Sequence, residues 1–219
     1  MFPHLRMLVG LAGLAVASAF AVSPAMAVDP VALDQTRTEF FRAVQGDGAA
    51  VTAASARFQT LLDQEPDNVV LRAYLGSCLT LQGREALMPW TKMRLVEAGL
   101  THIDKALAQL TAKHDAPVPD GLPPAFETRL VAASTFLRLP DLFHRFDAGK
   151  RVVDEAMRHP AFASLSAKAQ SGFLYQSARV AQKEGRRADE ISALRKALAG
   201  DPRGVDSPEA QKRLKDLGA

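Results

Sequence analysis

The side chains able to do chemistry are few and widely spread. There are five His, at positions 4, 102, 114, 144 and 159, and no second His or Cys stands near any of them at metal-ligand spacing. The strongest acid–base arrangement is Leu139-Pro140-Asp141-Leu142-Phe143-His144-Arg145-Phe146-Asp147, where two carboxylates flank His144. Leu142, Phe143 and Phe146 give the same segment a plainer reading, as a loop plugging apolar surface. His102 borders an apolar helical stripe and reads as a packed ring. The one cysteine, Cys78, sits among apolar residues and reads as a buried, inert thiol. No nucleophile elbow, dinucleotide fingerprint or P-loop occurs. The chain is expected to be no enzyme, to bind no metal and to use no cofactor.

A basic cluster is the better lead. Arg179 and Lys183 are four residues apart and share one helix face, with Arg186 and Arg187 following. Tyr175 lies one turn earlier, and Arg138 belongs to a separate helix end. Together they could clamp a carboxylate or an acidic peptide by charge-assisted hydrogen bonds. The competing reading is a solvated face whose cations complement the negative end of a helix. Trp90, the sole tryptophan, follows Pro89. It is either a partner anchor or, as expected here, a cover over the seam between helices.

These residues must be positioned by helices, because no stretch shows strand-like alternation. Apolar spacing and punctuation predict helices over Leu33–Val44, Ala49–Gln64, Val69–Leu81, Pro89–Leu110 and Ala125–Leu137. Four more are predicted over Asp147–Arg158, Ser164–Glu184, Arg187–Ala199 and Ser207–Leu217. Glu65-Pro66-Asp67-Asn68 and Gly200-Asp201-Pro202 break the chain, since Pro lacks the N–H donor and restricts its predecessor. Residues 111–124 hold Pro117, Pro119, Gly121, Pro123 and Pro124 and read as a loop.

The helices fall into pairs with internal likeness. The third carries Arg72-x2-Leu75-Gly76-x2-Leu79. The fifth carries Arg129-x2-Ala132-Ala133-x2-Phe136, and the seventh Leu174-x2-Ser177-Ala178-x2-Ala181. In the second members, Ala54-x3-Phe58 leads to Pro66 and Leu194 leads to Pro202, while Gly99-x3-Ile103 and Gly149-x3-Val153 supply small–large pairs. Over most of residues 28–219 this resembles the degenerate tetratricopeptide-repeat family, in an exported form. Insertions around Arg84–Leu95, Thr111–Pro124 and Arg138–Phe146 break the strict period. The expected fold is therefore all-α, an irregular α-α superhelix of about four antiparallel helix pairs with a C-terminal capping helix. The resemblance implies an inner curved surface lined by the first helix of each pair, binding a protein or extended peptide. By repeat position, Ser77 and Ser134 join Tyr175, Arg179, Lys183 and Arg138 on that surface.

Residues 1–27 read as a secretory signal peptide. Arg6 precedes the apolar run Met7–Ala21, and Ala25-Met26-Ala27 offers a small–x–small cleavage site. Cleavage after Ala27 would leave a periplasmic or secreted domain, residues 28–219, with no stable membrane anchor. Lys plus Arg is 27 and Asp plus Glu is 24. That balance does not fit a dedicated nucleic-acid binder. The leading expectation is a non-enzymatic periplasmic adaptor. The alternative is a small-molecule or substrate-capture accessory protein of an envelope transport system, which would need an enclosed pocket.

Overall fold

The computed structural model describes residues 28–118 and 121–219, so the expected signal peptide lies outside the described residues. These residues form nine α-helices and three short 3-10 turns, with no strand among them. The helices are α1 (Pro30–Val44), α2 (Gly48–Gln64), α3 (Val69–Glu85), α4 (Pro89–Ala108), α5 (Pro124–Phe136), α6 (Phe146–Arg158), α7 (Ala167–Lys183), α8 (Arg187–Gly200) and α9 (Ser207–Asp216).

Local chemistry sets the ends. Asp29, Asp47, Asn68 and Ser166 cap α1, α2, α3 and α7, each accepting a backbone N–H of the first turn. Proline opens α1, α4, α5 and α9, where its missing N–H costs nothing. Gly185, at φ +72°, turns the chain from α7 into α8. The helix predicted from Ser164 starts three residues later. Pro160–Ser164 forms a 3-10 turn whose first N–H is taken by His159 Nδ1, and Ser166 then caps a fresh helix. The 111–124 loop contains a second such turn, Ala112–Asp115.

The packing order is that of stacked hairpins. α1 lies on α2, α3 on α4, α5 on α6 and α7 on α8. The second helix of each hairpin touches the first of the next, and α1, α3, α5 and α7 also lie in sequence side by side, with α9 closing the end against α8. The result is an irregular α-α superhelix of four antiparallel pairs and a capping helix, as expected.

The hairpins share a series of apolar cores. In the first, Phe58 and Tyr74 stack with ring centroids 4.8 Å apart, and Phe40 meets Tyr74 edge-on at 4.9 Å. Further along, Ile103, Ala132, Ala133, Phe136, Val152 and Val153 join α4, α5 and α6, while Phe126, Ala156 and Phe173 join α5, α6 and α7. The α3 helix has no solvent face until its last turn. Every residue from Val69 to Cys78 is buried, because α1, α2, α4 and α5 surround it.

Cys78 lies within that helix with no exposed surface, and burial pushes its thiol up to about 12. It should therefore resist a thiol reagent such as Ellman's at pH 8 in the folded protein and react at once in denaturant. Prompt reaction under native conditions would show that α3 opens.

Candidate functional site

The basic cluster forms at the far end of the stack, where α5, α7 and α9 meet. Arg179 lies on α7 and reaches two ways: Nη1 to Glu209 Oε1 at 3.1 Å, and Nη2 to the Leu137 carbonyl at 3.2 Å. Its Nε is buried and has no partner. Arg138, just past α5, donates to Asp206 Oδ1 at 3.0 Å and lies 3.5 Å from Glu209 Oε2. Lys183 binds both oxygens of Asp141, at 2.8 and 2.6 Å. Three cations that the sequence leaves free are thus met by acids of the same chain.

Asp141 comes from the 3-10 turn before α6, whereas Asp206 and Glu209 arrive with α9, and each end of that helix is tied down. At its start, Asp206 and Glu209 face Arg138 and Arg179. At its other end, Arg213 donates to Glu190 at 2.6 Å, and Arg187 donates to the Leu217 carbonyl. Ala210, Leu214 and Leu217 bury against Tyr175, Ala178 and Leu194. Burial raises the Asp206 carboxyl above its ordinary range, against the opposing pull of Arg138. Tyr175 is pushed up to about 12 by burial and by Glu209, so it stays a neutral hydroxyl.

The other expected surface residues divide. Arg138 and Lys183 are exposed, and Arg179 and Ser134 are half-buried. Tyr175 is 3% exposed and Ser77 5% exposed. Ser77 Oγ accepts from Thr135 at 2.9 Å, so it joins α3 to α5 instead of facing solvent. An inner surface open along all four hairpins does not exist at α3; the exposed polar part is confined to the α5–α7–α9 end. Sequence reasoning missed Asp206 and Glu209, although the Asp-Ser-Pro-Glu start of α9 marks a helix N-terminus that gathers acids.

The acid–base lead does not assemble. His144 is exposed, in the left-handed conformation at φ 50°, and among the described residues none of its hydrogen bonds reaches Asp147. Asp141 is held by Lys183. Of the expected plug, Phe143 packs on the core with Leu139, but Leu142 is 59% exposed. No group of three potential metal ligands comes together among the described residues, and none of their helices is long and apolar enough to cross a membrane. His102 is half-buried between α3 and α4, and burial, with Arg72 and Lys105 nearby, lowers its pKa.

Concave sites also occur among the described residues. One, of about 240 Å³, lies between α7, α8 and α9 and includes Tyr175, Arg179, Gln182, Glu209 and Arg213. Another, of about 280 Å³, lies between α4, α5 and α6 beside the bidentate Arg145–Asp104 pair.

No protein-family model matches the sequence, and no curated protein or solved structure matches it either.

Proposed function

We propose that this chain is a non-enzymatic, exported adaptor of the tetratricopeptide-repeat type, which binds an acidic protein segment at the α5–α7–α9 end of its helical stack. The observation that carries the reading is the side-by-side row of α1, α3, α5 and α7, ending in exposed cations. Stacked folds of this kind bind extended partners on their surface, and because α3 is enclosed the part open to a partner here is the α5–α7–α9 end. At that end Arg138, Arg179 and Lys183 supply donors suited to carboxylates. Glu209, with its side chain 55% exposed, already fills one such place and can be exchanged for a partner's carboxylate at little cost.

Capture of a small molecule is less well supported. Ligand pockets usually enclose ~300–1,000 Å³. The two concave sites are smaller and open, and their rims are largely charged.

The test is photo-crosslinking in exporting cells from two exposed positions, Gln182 on α7 and Lys196 on α8. A discrete protein adduct is expected from position 182 alone. Arg179→Ala with Lys183→Ala should reduce it several-fold, and raised salt should do the same to the unmutated chain. Identical adducts from both positions, or indifference to the double substitution and to salt, would remove the proposal.

A further inference from the structure

The segment Leu87-Met88-Pro89-Trp90-Thr91-Lys92-Met93-Arg94 joins α3 to α4. A seam-covering Trp90 was the expectation, and the structure corrects it. Trp90 is 70% exposed, Leu87 91%, Met88 48% and Met93 38%. Large exposed apolar residues elsewhere in the described chain, such as Val31, Val118 and Val205, stand singly. Single ones need no explanation, whereas a contiguous set does.

The cause is a mismatch in length. Gly83, near the end of α3, lies against Val96 and the Lys92 carbonyl of α4. The turn Pro89–Thr91 therefore lies level with the last residues of α3 or beyond them. Only Arg84 and Glu85 remain of α3 at that level, and they pair with each other. The apolar stripe of α4 runs inward at Val96, Leu100 and Ile103, but its first turn extends past anything that could cover it.

Charge frames this ridge. Trp90 and Met93 are three apart and share a helix face. Lys92 and Arg94 flank Met93, about 100° to either side around the helix axis. Both are exposed, and neither has an ion-pair partner among the described residues. Glu97, one turn further along, is the next acid on α4.

We infer that this ridge is a site of reversible attachment to an anionic phospholipid bilayer. Leu87 and Met88 enter the acyl boundary, Trp90 lies at the headgroup level, and Lys92 and Arg94 meet lipid phosphates. The shape favours a bilayer: the ridge protrudes, and a bilayer accepts a convex apolar tip, whereas a protein partner must supply a matching hollow. Tryptophan belongs at that depth, with an apolar ring body and a polar N–H. Apolar burial combined with basic residues is how peripheral segments hold anionic membranes. This attachment is independent of the acidic-segment reading, which concerns residues of α5, α7 and α9.

Trp90 is the only tryptophan, so its emission reports on this ridge alone. Vesicles of phosphatidylglycerol and phosphatidylcholine should shift that emission to the blue, and brominated acyl chains should quench it. Pure phosphatidylcholine vesicles should do either only weakly. Leu87→Ala with Met88→Ala should lower partitioning about tenfold or more, with little change in melting temperature, since Leu87 lies in water and Met88 is about half exposed. Lys92→Gln with Arg94→Gln should weaken binding to anionic vesicles but not to neutral ones. An emission indifferent to anionic vesicles would overturn the inference, as would equal binding to neutral ones. A blue shift that grows with protein concentration in the absence of lipid would overturn it too, by showing a second copy on the ridge.

Discussion

Replacing Glu127 by Ala should cost about 3–5 kcal/mol of stability, the range for removing one partner of a buried pair. Glu127 is 8% exposed, on a helix where most of its neighbours are apolar. Its Oε1 accepts from Arg37 Nε at 2.8 Å and from the Tyr74 hydroxyl at 2.9 Å, and its Oε2 accepts from Arg37 Nη2 at 2.7 Å. One carboxylate thus joins α1, α3 and α5. Burial opposes the charge on Arg37, but Glu127 together with Tyr74 and Asp34 more than offsets it, so the guanidinium is held above its ordinary pKa. Burial, then the charge of Glu127, raises Tyr74 well above its ordinary value, so it remains a neutral donor. Truncating Glu127 leaves the Tyr74 hydroxyl buried with no acceptor and the half-buried Arg37 with only the exposed Asp34 as partner. Glu127→Leu combined with Arg37→Met and Tyr74→Phe should be much less harmful than Glu127→Ala, because nothing polar is then left unpaired. Urea denaturation of both variants decides it. A single substitution within about 1 kcal/mol of the unmutated chain would show that water already serves these groups.

The contrast between Glu127 and the helices around it shows what a lone sequence can display. Helix ends are written locally. Asn68, Gly185 and the prolines at positions 30, 89, 124 and 208 act within one turn of themselves, so the reading places seven of nine starts within one residue of the observed ones and that of α1 three residues late. The start of α7 was also off by three, because Pro160 and Ser166 both carry start signals and only the second begins an α-helix. The pairing of hairpins was legible too, through small residues at matching steps. Partners across the stack were not. Arg138 and Asp206 are 68 residues apart, and Arg37 and Glu127 are 90 apart. A cation on a helix reads the same whether it meets solvent or an acid from a distant turn. Exposure at Trp90 depends on how far α4 outruns α3, a difference of packing level that no local pattern contains. The all-round burial of α3 was hidden for a related reason, since Ser77 reads as a surface residue until neighbours on every side are in place.

Gly99→Ala should destabilise the protein by about 3 kcal/mol, the upper part of the usual overpacking range. Here the close approach of two helices is a backbone matter. A Cβ at Gly99 would lie 2.4 Å from the Gly76 carbonyl oxygen, and one at Gly76 would lie 2.6 Å from the Gly99 carbonyl oxygen. No rotamer change can relieve either contact, because the obstacle is main chain. α3 and α4 would have to move apart, and Ile103 and Leu75, both buried, would lose packing with them. Intrinsic propensity works the other way, since Ala is favoured over Gly inside a helix by about 1 kcal/mol. Gly48→Ala isolates that opposing effect. Gly48 opens α2, has no atom within 4 Å of where its Cβ would lie, and has no positive φ. There the same substitution should be neutral or stabilise by up to about 1 kcal/mol. Opposite signs from one chemical change, read as denaturant midpoints at equal slope, would establish that the small residues at Gly76 and Gly99 set the distance between the helices of this hairpin. Equal stability of Gly99→Ala and the unmutated chain would mean that the two helices have room to part, and that the repeat spacing rests on something other than this crossing.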